Sequence, residues 1–391
     1  MGLLLMGLAA FLSNRSSNML IAMGEKSGRL NYEDLMATVF GNAGIYAFSF
    51  FAGVLAFGSM SSYLIIVGDT VPDILLASGI TTGVFANRSS VIGMFGVFCM
   101  LPVSLFRDMS MLAYTSLLSI SADALLTLIV VYAAVGEASE DAEIDMAEVR
   151  TFVRPTVFAG FGAISFAFVC QQSSFLVYRS MSDGTVQRWA WVTRWALTIA
   201  LAMGTALALG GFLHFGQDTQ GNILNNFSTE HKAASVARGF LAVTMVFTYP
   251  MEMYVARHVL DISVFQTLLG KGPTTLARHS VITLGIWALT MILALSTDNL
   301  GSILEIFGAF SSTTVGYIMP ALLFLSSNRR ELRLATQVWK EGSAEYRPTL
   351  GARLGAMREF CVPIFMAVFG SIAMVAGVAT AVVYDLTPTK A

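Results

Sequence analysis

Ten apolar stretches recur along this chain, each about as long as a helix that crosses a lipid bilayer. They lie at residues 2–23, 43–67, 89–106, 110–135, 155–178, 189–213, 234–258, 278–297, 300–326 and 359–384. Lipid offers no partner to a free backbone N–H or C=O, so a spanning chain must form helices or a closed barrel. Because these runs are continuously apolar rather than alternating, we predict an all-α membrane protein with about ten transmembrane helices.

The composition excludes most soluble functions. Charged residues make up only 12% of the chain, whereas a soluble domain carries roughly 25%. The net charge of -2 gives no basis for binding nucleic acid. Cys99, Cys170 and Cys361 all fall inside apolar segments, so we expect neither a disulfide framework nor a metal site. We expect no cofactor.

Basic residues collect in every second gap between the segments, and an excess of Lys and Arg marks cytoplasmic loops. The gap at 327–358 holds seven of them, so we predict a basic cytoplasmic linker there. The gap at 24–42 falls on the same side, and we predict a cytoplasmic loop in which Asn31 caps a short helix. The gap at 136–154 carries six acids within 137–148, which predicts an acidic outside loop.

The same alternation places residues 1 and 391 on the outer or lumenal face of one transmembrane domain, 1–391. A first segment that enters the membrane from outside normally follows an earlier one that went out. We therefore expect that a spanning helix is missing upstream of Met1.

An ionisable side chain lies near the middle of the fourth segment. Asp123 follows Ser121 and Ala122 in an otherwise apolar run. A carboxyl group at mid-membrane is costly, about 2.5–3.5 kcal/mol on insertion scales, and is a functional candidate by default. Beside a water-filled path it would carry a proton or help to hold a cation. The alternative is a buried Asp satisfied by a cation or hydroxyl, with no further role.

The fifth segment combines glycines with adjacent polar residues. Gly160 and Gly162 precede the polar run 171–174. This pattern favours a helix that breaks partway and exposes backbone groups at mid-membrane. The alternative is that the glycines allow ordinary close packing between helices.

The seventh segment contains two threonines before a proline. Pro250 frees the carbonyl of Val246, four residues earlier. That carbonyl and the hydroxyls of Thr244 and Thr248 are hard oxygen ligands suited to Na⁺. The alternative is that each hydroxyl bonds its own helix backbone.

Three stretches of sequence carry a family resemblance. Residues 166–178 contain Cys170 followed by two glutamines and two serines, residues 215–227 form a loop rich in Gly and Asn, and residues 248–252 read Thr-Tyr-Pro-Met-Glu. They resemble the broken helix, an outer loop and the Thr-aromatic-Pro-Leu-Glu motif of the amino acid/auxin permease family. The resemblance is greatest to the sodium-coupled neutral amino acid transporters and their vacuolar relatives. Further matches at 24–35, 63–69 and 316–320 extend it in the right order over most of the chain.

The resemblance implies an inverted-repeat, leucine-transporter-like bundle of eleven helices, of which the ten segments correspond to helices two to eleven and the first is lacking. It implies a secondary active transporter rather than an enzyme. Such a protein carries neutral amino acids by alternating access, coupled to Na⁺ or H⁺. Its membrane is the plasma membrane or that of a vacuole or lysosome.

The resemblance also implies which residues form the site. The substrate lies at the broken helix, and the candidate substrate-binding residues are Gly162, Ser165, Phe166, Phe168 and Cys170. The candidate ion-coupling residues are Thr244 and Thr248, to which the position of Asp123 adds a third. Asp123 itself is not a feature expected from the family.

One departure from the family pattern bears on function. Gln171 and Gln172 stand where many members have a His, and a Gln cannot titrate, so a proton relay through that position is lost.

Two alternatives to a transporter remain, namely an amino acid sensor on the same scaffold and a truncated transporter without function. A membrane enzyme is disfavoured, because the four His residues all lie in gaps or at segment ends.

Overall fold

The computed structural model describes residues 1–79, 83, 87–106, 112–136, 156–270, 272, 274–333 and 350–383. These residues are helical, with no strand among them. The helices are α1 (Gly2–Ser27), α2 (Tyr32–Phe40), α3 (Asn42–Ala77), α4 (Arg88–Ser104), α5 (Leu112–Gly136), α6 (Val157–Phe168), α7 (Gln171–Ser180), α8 (Val186–Phe215), α9 (Lys232–Leu268), α10 (Leu276–Ser296), α11 (Leu300–Ser327) and α12 (Leu350–Ala381). The all-α prediction is confirmed.

Seven helical spans in the described ranges are long and apolar enough to cross a membrane. They are Asn42–Ala77, Val157–Ser180, Val186–Phe215, Lys232–Leu268, Leu276–Ser296, Leu300–Ser327 and Glu359–Ala381. Two shorter apolar stretches, Arg88–Ser104 and Ser119–Tyr132, fall in two further predicted segments. The 26-residue α1 carries a polar run at 13–18 that lowers its hydropathy. Each of the ten predicted segments thus lies on a helix, while the count of ten spans stays a prediction.

The contacts between residues divide the chain into two compact units. The first unit comprises 52–155 and 199–307, together with Met1, and the second comprises 2–51, 156–198 and 308–391. Most of the predicted acidic loop and residues 334–349 of the predicted basic linker lie outside the described residues. The proposal of one transmembrane domain over 1–391 stays a prediction.

The core of the first unit lies between α3, α4, α9, α10 and the start of α11. Leu64 of α3, Val91 of α4 and Met253 of α9 are fully buried in one apolar cluster that also includes Ala294. Helix α5 packs along α9. A long buried helix such as α3 therefore has apolar residues on all its faces, as expected for the interior of a membrane bundle.

In the second unit, α6 is packed between α1, α12 and residues 308–312 of α11. Residues 308–312 and 314–318 of α11 are π-helical, a wider winding that is frequent at functional sites. Small residues bring these helices together. A Cβ atom built on Gly377 of α12 would lie 2.9 Å from the backbone O of Phe158, so α12 and α6 are in near-backbone contact.

The predicted short helix in the 24–42 loop is present as α2, but its predicted cap is wrong. Asn31 occupies the N-cap position without a capping hydrogen bond from its side chain. Its amide instead donates to Asp34 at 3.0 Å, and its Oδ1 accepts from Arg179 at 3.0 Å. Helix α2 is anchored by Tyr32, whose hydroxyl donates to the Val315 carbonyl at 3.1 Å. Burial, with the neighbouring Glu33, raises the pKa of Tyr32 well above its ordinary value.

Candidate functional site

The predicted helix break lies at Val169 and Cys170, between α6 and α7. Val169 is extended, with φ −71° and ψ 125°, and Cys170 has φ −140° and ψ 5°. The break contains no proline and no glycine. The prediction that this segment breaks is confirmed, although the glycines that suggested it lie about two to three turns earlier.

Side chains from α7 replace the backbone hydrogen bonds lost at the break. The Cys170 N–H donates to Gln171 Oε1 at 2.9 Å. The Cys170 carbonyl accepts from the hydroxyls of Ser173 and Ser174, at 3.2 and 2.9 Å. These polar side chains therefore stabilise the break at Cys170 and allow a new helix to begin at Gln171.

The break turns helix ends toward the interior of the unit. The last carbonyls of α6 and the first N–H groups of α7 lack intrahelical partners. They carry partial negative and partial positive charge respectively. An interrupted helix of this kind can bind a positive group at one end and a negative group at the other, which are the two ends of a zwitterion.

One face of α1 supports the break. Ser13, Ser16 and Ser17 are fully buried. Gln171 Nε2 donates to the Ser13 carbonyl at 3.3 Å, and the Ser17 and Ser174 hydroxyls share a hydrogen bond at 2.9 Å. Because the serines are spaced at i, i+3 and i+4, they lie on one face of the helix. That spacing was a signal in the sequence for a buried polar face.

Three hydroxyl groups cluster near the end of α6. Ser165 of α6, Ser13 of α1 and Tyr317 of α11 are almost completely buried. Tyr317 is close enough to both serines for their hydroxyls to interact. Nevertheless, none of the three meets hydrogen-bond geometry with any described residue. Buried hydroxyls outside hydrogen-bond geometry are uncommon, so this polar cluster is a candidate contact for a water or ligand atom. Tyr317 was missed by sequence reasoning, since its contacts are all distant in the chain.

The predicted substrate residues differ in their surroundings. Gly162 is buried, and its carbonyl packs directly against Gly308 of α11, close to Phe166. Phe168 is buried as the last residue of α6, and Cys170 is half-buried at the break. The structure thus puts all five of these residues on the last two turns of α6 or at the break. Their role in binding stays a prediction.

The predicted ion-coupling residues belong to the first unit. Thr244 of α9 is buried, and within the described residues its hydroxyl has no hydrogen-bond partner. The Thr248 hydroxyl donates to the Thr244 carbonyl at 2.8 Å, so the backbone bond considered as its alternative is present. The oxygen lone pairs of Thr248 still allow coordination. Pro250 lies inside the helix and leaves the Val246 carbonyl without its usual donor.

Asp123 has a neighbour, Tyr63, that sequence reasoning did not assign to it. The half-buried Asp123 lies on α5, which packs along α9. The Tyr63 hydroxyl of α3 is within electrostatic range of both Asp123 and Glu252 of α9. Glu252 Oε2 is buried and lacks a hydrogen-bond partner among the residues described. Glu252 follows Thr248 by four residues, so it lies on the same face of α9.

A cavity of about 600 Å³ lies in the second unit. Arg15, Asn18 and Lys26 of α1 and Glu359 of α12 contribute its polar lining. None of the predicted substrate residues lines this cavity. It is therefore separate from the break, and size alone does not identify the site.

Comparison with known proteins places the chain among amino acid transporters. Residues 1–346 match the family model described as transmembrane amino acid transporter protein. The putative sodium-coupled neutral amino acid transporter 11 of Danio rerio is 33% identical over 341 residues, which cover 85% of this chain and 74% of the relative. The human protein of the same name is 30% identical, over 83% of this chain and 79% of its own. Vacuolar amino acid transporter 2 of Saccharomyces cerevisiae is 28% identical, over 81% and 66%.

Proposed function

Because the chain belongs to the transmembrane amino acid transporter family, we propose that it is a secondary active transporter of neutral amino acids, working by symport with Na⁺ or H⁺. One observation carries the proposal, which is the interrupted helix at Val169 and Cys170 inside a packed helical unit. Backbone groups freed at mid-membrane are the binding elements that transporters of small charged solutes use. The names of the relatives support neutral amino acids as substrates and Na⁺ as a coupling ion.

The architecture that fits this function is a ten-helix, inverted-repeat, leucine-transporter-like bundle that alternates its access between the two faces. The gaps at 24–42 and 327–358 then face the cytoplasm, and 136–154 faces outside. The membrane is the plasma membrane or that of a vacuole or lysosome. Seven long apolar spans in the part of the chain that the structure describes, one of which is the broken helix formed by α6 and α7, support this proposal.

In the proposed substrate complex, the α-carboxylate approaches the free N–H groups at the start of α7. The ammonium group approaches the free carbonyls at the end of α6. Ser165 and Cys170 contribute polar atoms, and Phe166 and Phe168 form the apolar wall that selects the side chain. Gly162 keeps α6 close to α11, which positions the carbonyl end.

In the proposed coupling step, Thr244, Thr248 and the Val246 carbonyl supply oxygen ligands to Na⁺. Where H⁺ is the coupling ion, Asp123 carries it, and Glu252 is the second carboxyl group near Tyr63. No organic cofactor takes part.

Uptake into liposomes tests the proposal. The purified full chain is reconstituted, and uptake of radiolabelled L-alanine and L-glutamine is measured under an imposed Na⁺ gradient, an imposed pH gradient, or neither. We expect accumulation above equilibrium under one gradient, with L-lysine and L-glutamate transported poorly. Binding of alanine without uptake under any gradient would contradict transport and favour a sensor on the same scaffold.

A further inference from the structure

A second polar cavity lies in the first unit, away from the residues proposed above. It has a volume of about 380 Å³, within the range of small-molecule sites. Its polar lining comes from the end of α3, the loop between α8 and α9, and the connection between α10 and α11: Asp69, Gln220, Asn222, Asn225, Asp298 and Asn299. All three regions fall in gaps that the charge pattern assigns to the outer face.

Two carboxylates and one guanidinium set the charge of this cavity. Arg88 donates to Asp69 at 2.8 Å and pairs with Asp298 at 2.7 Å. It also donates to the Thr297 carbonyl at 3.2 Å, so the guanidinium is held in place. Two negative charges and one positive charge leave a net charge of -1. The Asp298 side chain is 87% exposed, and its second oxygen is therefore accessible to a ligand.

Two amide groups in the cavity have unused hydrogen-bonding capacity. Asn222 is 7% exposed; its Oδ1 accepts from the Leu224 N–H at 3.2 Å, which leaves Nδ2 with no partner in the described part of the chain. Asn225 lies beside Asp69, and its buried Oδ1 is likewise without a partner there. A buried polar group without a hydrogen-bond partner destabilises the folded chain. Asn222 Nδ2 can therefore donate a hydrogen bond to a ligand, and Asn225 Oδ1 can accept one from it.

The loop that carries these amides is held rigidly. The fully buried Arg238 donates to the carbonyls of Leu224 and Phe227, both at 2.8 Å, and pairs with Asp73 at 3.3 Å. Asn226 accepts from the Gln220 N–H at 2.8 Å. A loop fixed in this way presents its polar atoms in a set geometry, which lowers the entropic cost of binding.

We propose that this cavity is an outer-face binding site for the zwitterion of a neutral α-amino acid. The ammonium group binds between Asp298, Asp69 and Asn225 Oδ1, where the net negative charge lies. The carboxylate accepts from Asn222 Nδ2. A divalent cation fits less well, because the Arg88 guanidinium already pairs with both carboxylates and an amide donor lines the cavity. The inference rests on the proposed function for the identity of the ligand, and it adds a site at which substrate is held before or apart from the break.

Equilibrium binding to the purified full chain tests the inference. Radiolabelled L-alanine is the probe, and alanine methyl ester and N-acetylalanine, which lack one charge each, are the competitors. The decisive variant is Asn222→Asp, which keeps the Oδ1 that accepts from Leu224 but replaces the free donor with a negative charge. Asn87→Asp is its matched control, since Asn87 Oδ1 accepts from the Ser89 N–H at 3.0 Å in the same i+2 arrangement and Asn87 does not line the cavity.

We expect the wild-type chain and Asn87→Asp to bind one more equivalent of alanine than Asn222→Asp, with neither competitor displacing that equivalent efficiently. Asp298→Asn, at an exposed position, is expected to weaken the same equivalent by about tenfold, and it decides the question if Asn222→Asp does not fold. Equal binding by all four proteins would overturn the inference. Liposome uptake is measured in parallel. If Asn222→Asp loses the equivalent of alanine but the wild-type chain shows no uptake, the proposed transport alone is contradicted. If Asn222→Asp binds as much alanine as the wild-type chain and the wild-type chain transports, this site alone is contradicted.

Discussion

Gln171 and Cys170 are joined by a hydrogen bond across the interruption of the fifth segment, since the Cys170 N–H donates to Gln171 Oε1 at 2.9 Å. The same side chain donates through Nε2 to the Ser13 carbonyl of α1 at 3.3 Å. One buried glutamine therefore fixes both the shape of the break and its attachment to the neighbouring helix. A titratable His at this position would make that attachment depend on pH, whereas a Gln does not.

Replacing Gln171 by Leu is expected to destabilise the protein by about 1–3 kcal/mol, because it leaves the half-buried Cys170 N–H without a partner and removes the side-chain donor to the Ser13 carbonyl. Gln172→Leu is the matched control, since Gln172 Oε1 is buried and has no partner among the residues described. Thermal unfolding in detergent compares the two. A loss of stability no larger for Gln171→Leu than for Gln172→Leu would show that the hydrogen bonds at the break contribute little.

Close contact between α6 and α11 gives a second prediction. A Cβ on Gly308 would collide with the backbone of Gly162, whereas a Cβ on Gly160 would meet no atom within 4 Å. Gly308→Ala is therefore expected to cost about 1–3 kcal/mol through overpacking and to displace the end of α6. Gly160→Ala is expected to be neutral or to stabilise by about 0.5–1 kcal/mol. Thermal unfolding and alanine uptake are measured for both, and equal behaviour of the two variants would contradict the packing argument.

Helix positions could be predicted from the sequence because apolar runs of membrane length have few alternatives in lipid. The exact position of the break could not be predicted from the sequence. The glycines at 160 and 162 indicated flexibility, but the backbone opens at Val169 and Cys170, where the Gln171 and Ser174 side chains capture the freed groups. Side-chain capture depends on rotamers and neighbours, which a pattern of residue types does not contain.

The side-chain contacts of the site residues could also not be predicted from local sequence patterns. Tyr317 lies close to Ser13 and Ser165 on a part of α11 that winds as a π-helix, and a hydrophobic period does not distinguish that winding from an ordinary helix. The predicted cap at Asn31 was wrong for a similar reason. Its side chain accepts from Arg179, 148 residues away, and that contact exists only in the folded chain.

The coupling ion can be tested at Thr248. If this hydroxyl is a ligand of Na⁺, Thr248→Ala is expected to raise the Na⁺ concentration for half-maximal uptake roughly tenfold, the equivalent of about 1.4 kcal/mol. Thr198→Ala is the control, because the exposed Thr198 of α8 makes the same type of bond, to the Arg194 carbonyl at 2.7 Å. Alanine uptake is measured as a function of Na⁺ concentration. An unchanged Na⁺ dependence in Thr248→Ala would remove Thr248 from the proposed ion site.

Proton coupling can be tested at Asp123 and Glu252. The two carboxyl groups belong to adjacent helices, and Tyr63 is within electrostatic range of both. If either one carries the coupling proton, its amide variant cannot load or release it, because an amide does not titrate between pH 5 and 8. Asp123→Asn and Glu252→Gln are therefore expected to flatten the pH profile of alanine uptake in liposomes, and the variant that does so identifies the carrier. Asp183→Asn is the control, since the exposed Asp183 pairs with Arg188 at 3.1 Å on the surface. A profile identical to wild type in both variants would assign the two acids a structural role and leave Na⁺ as the coupling ion.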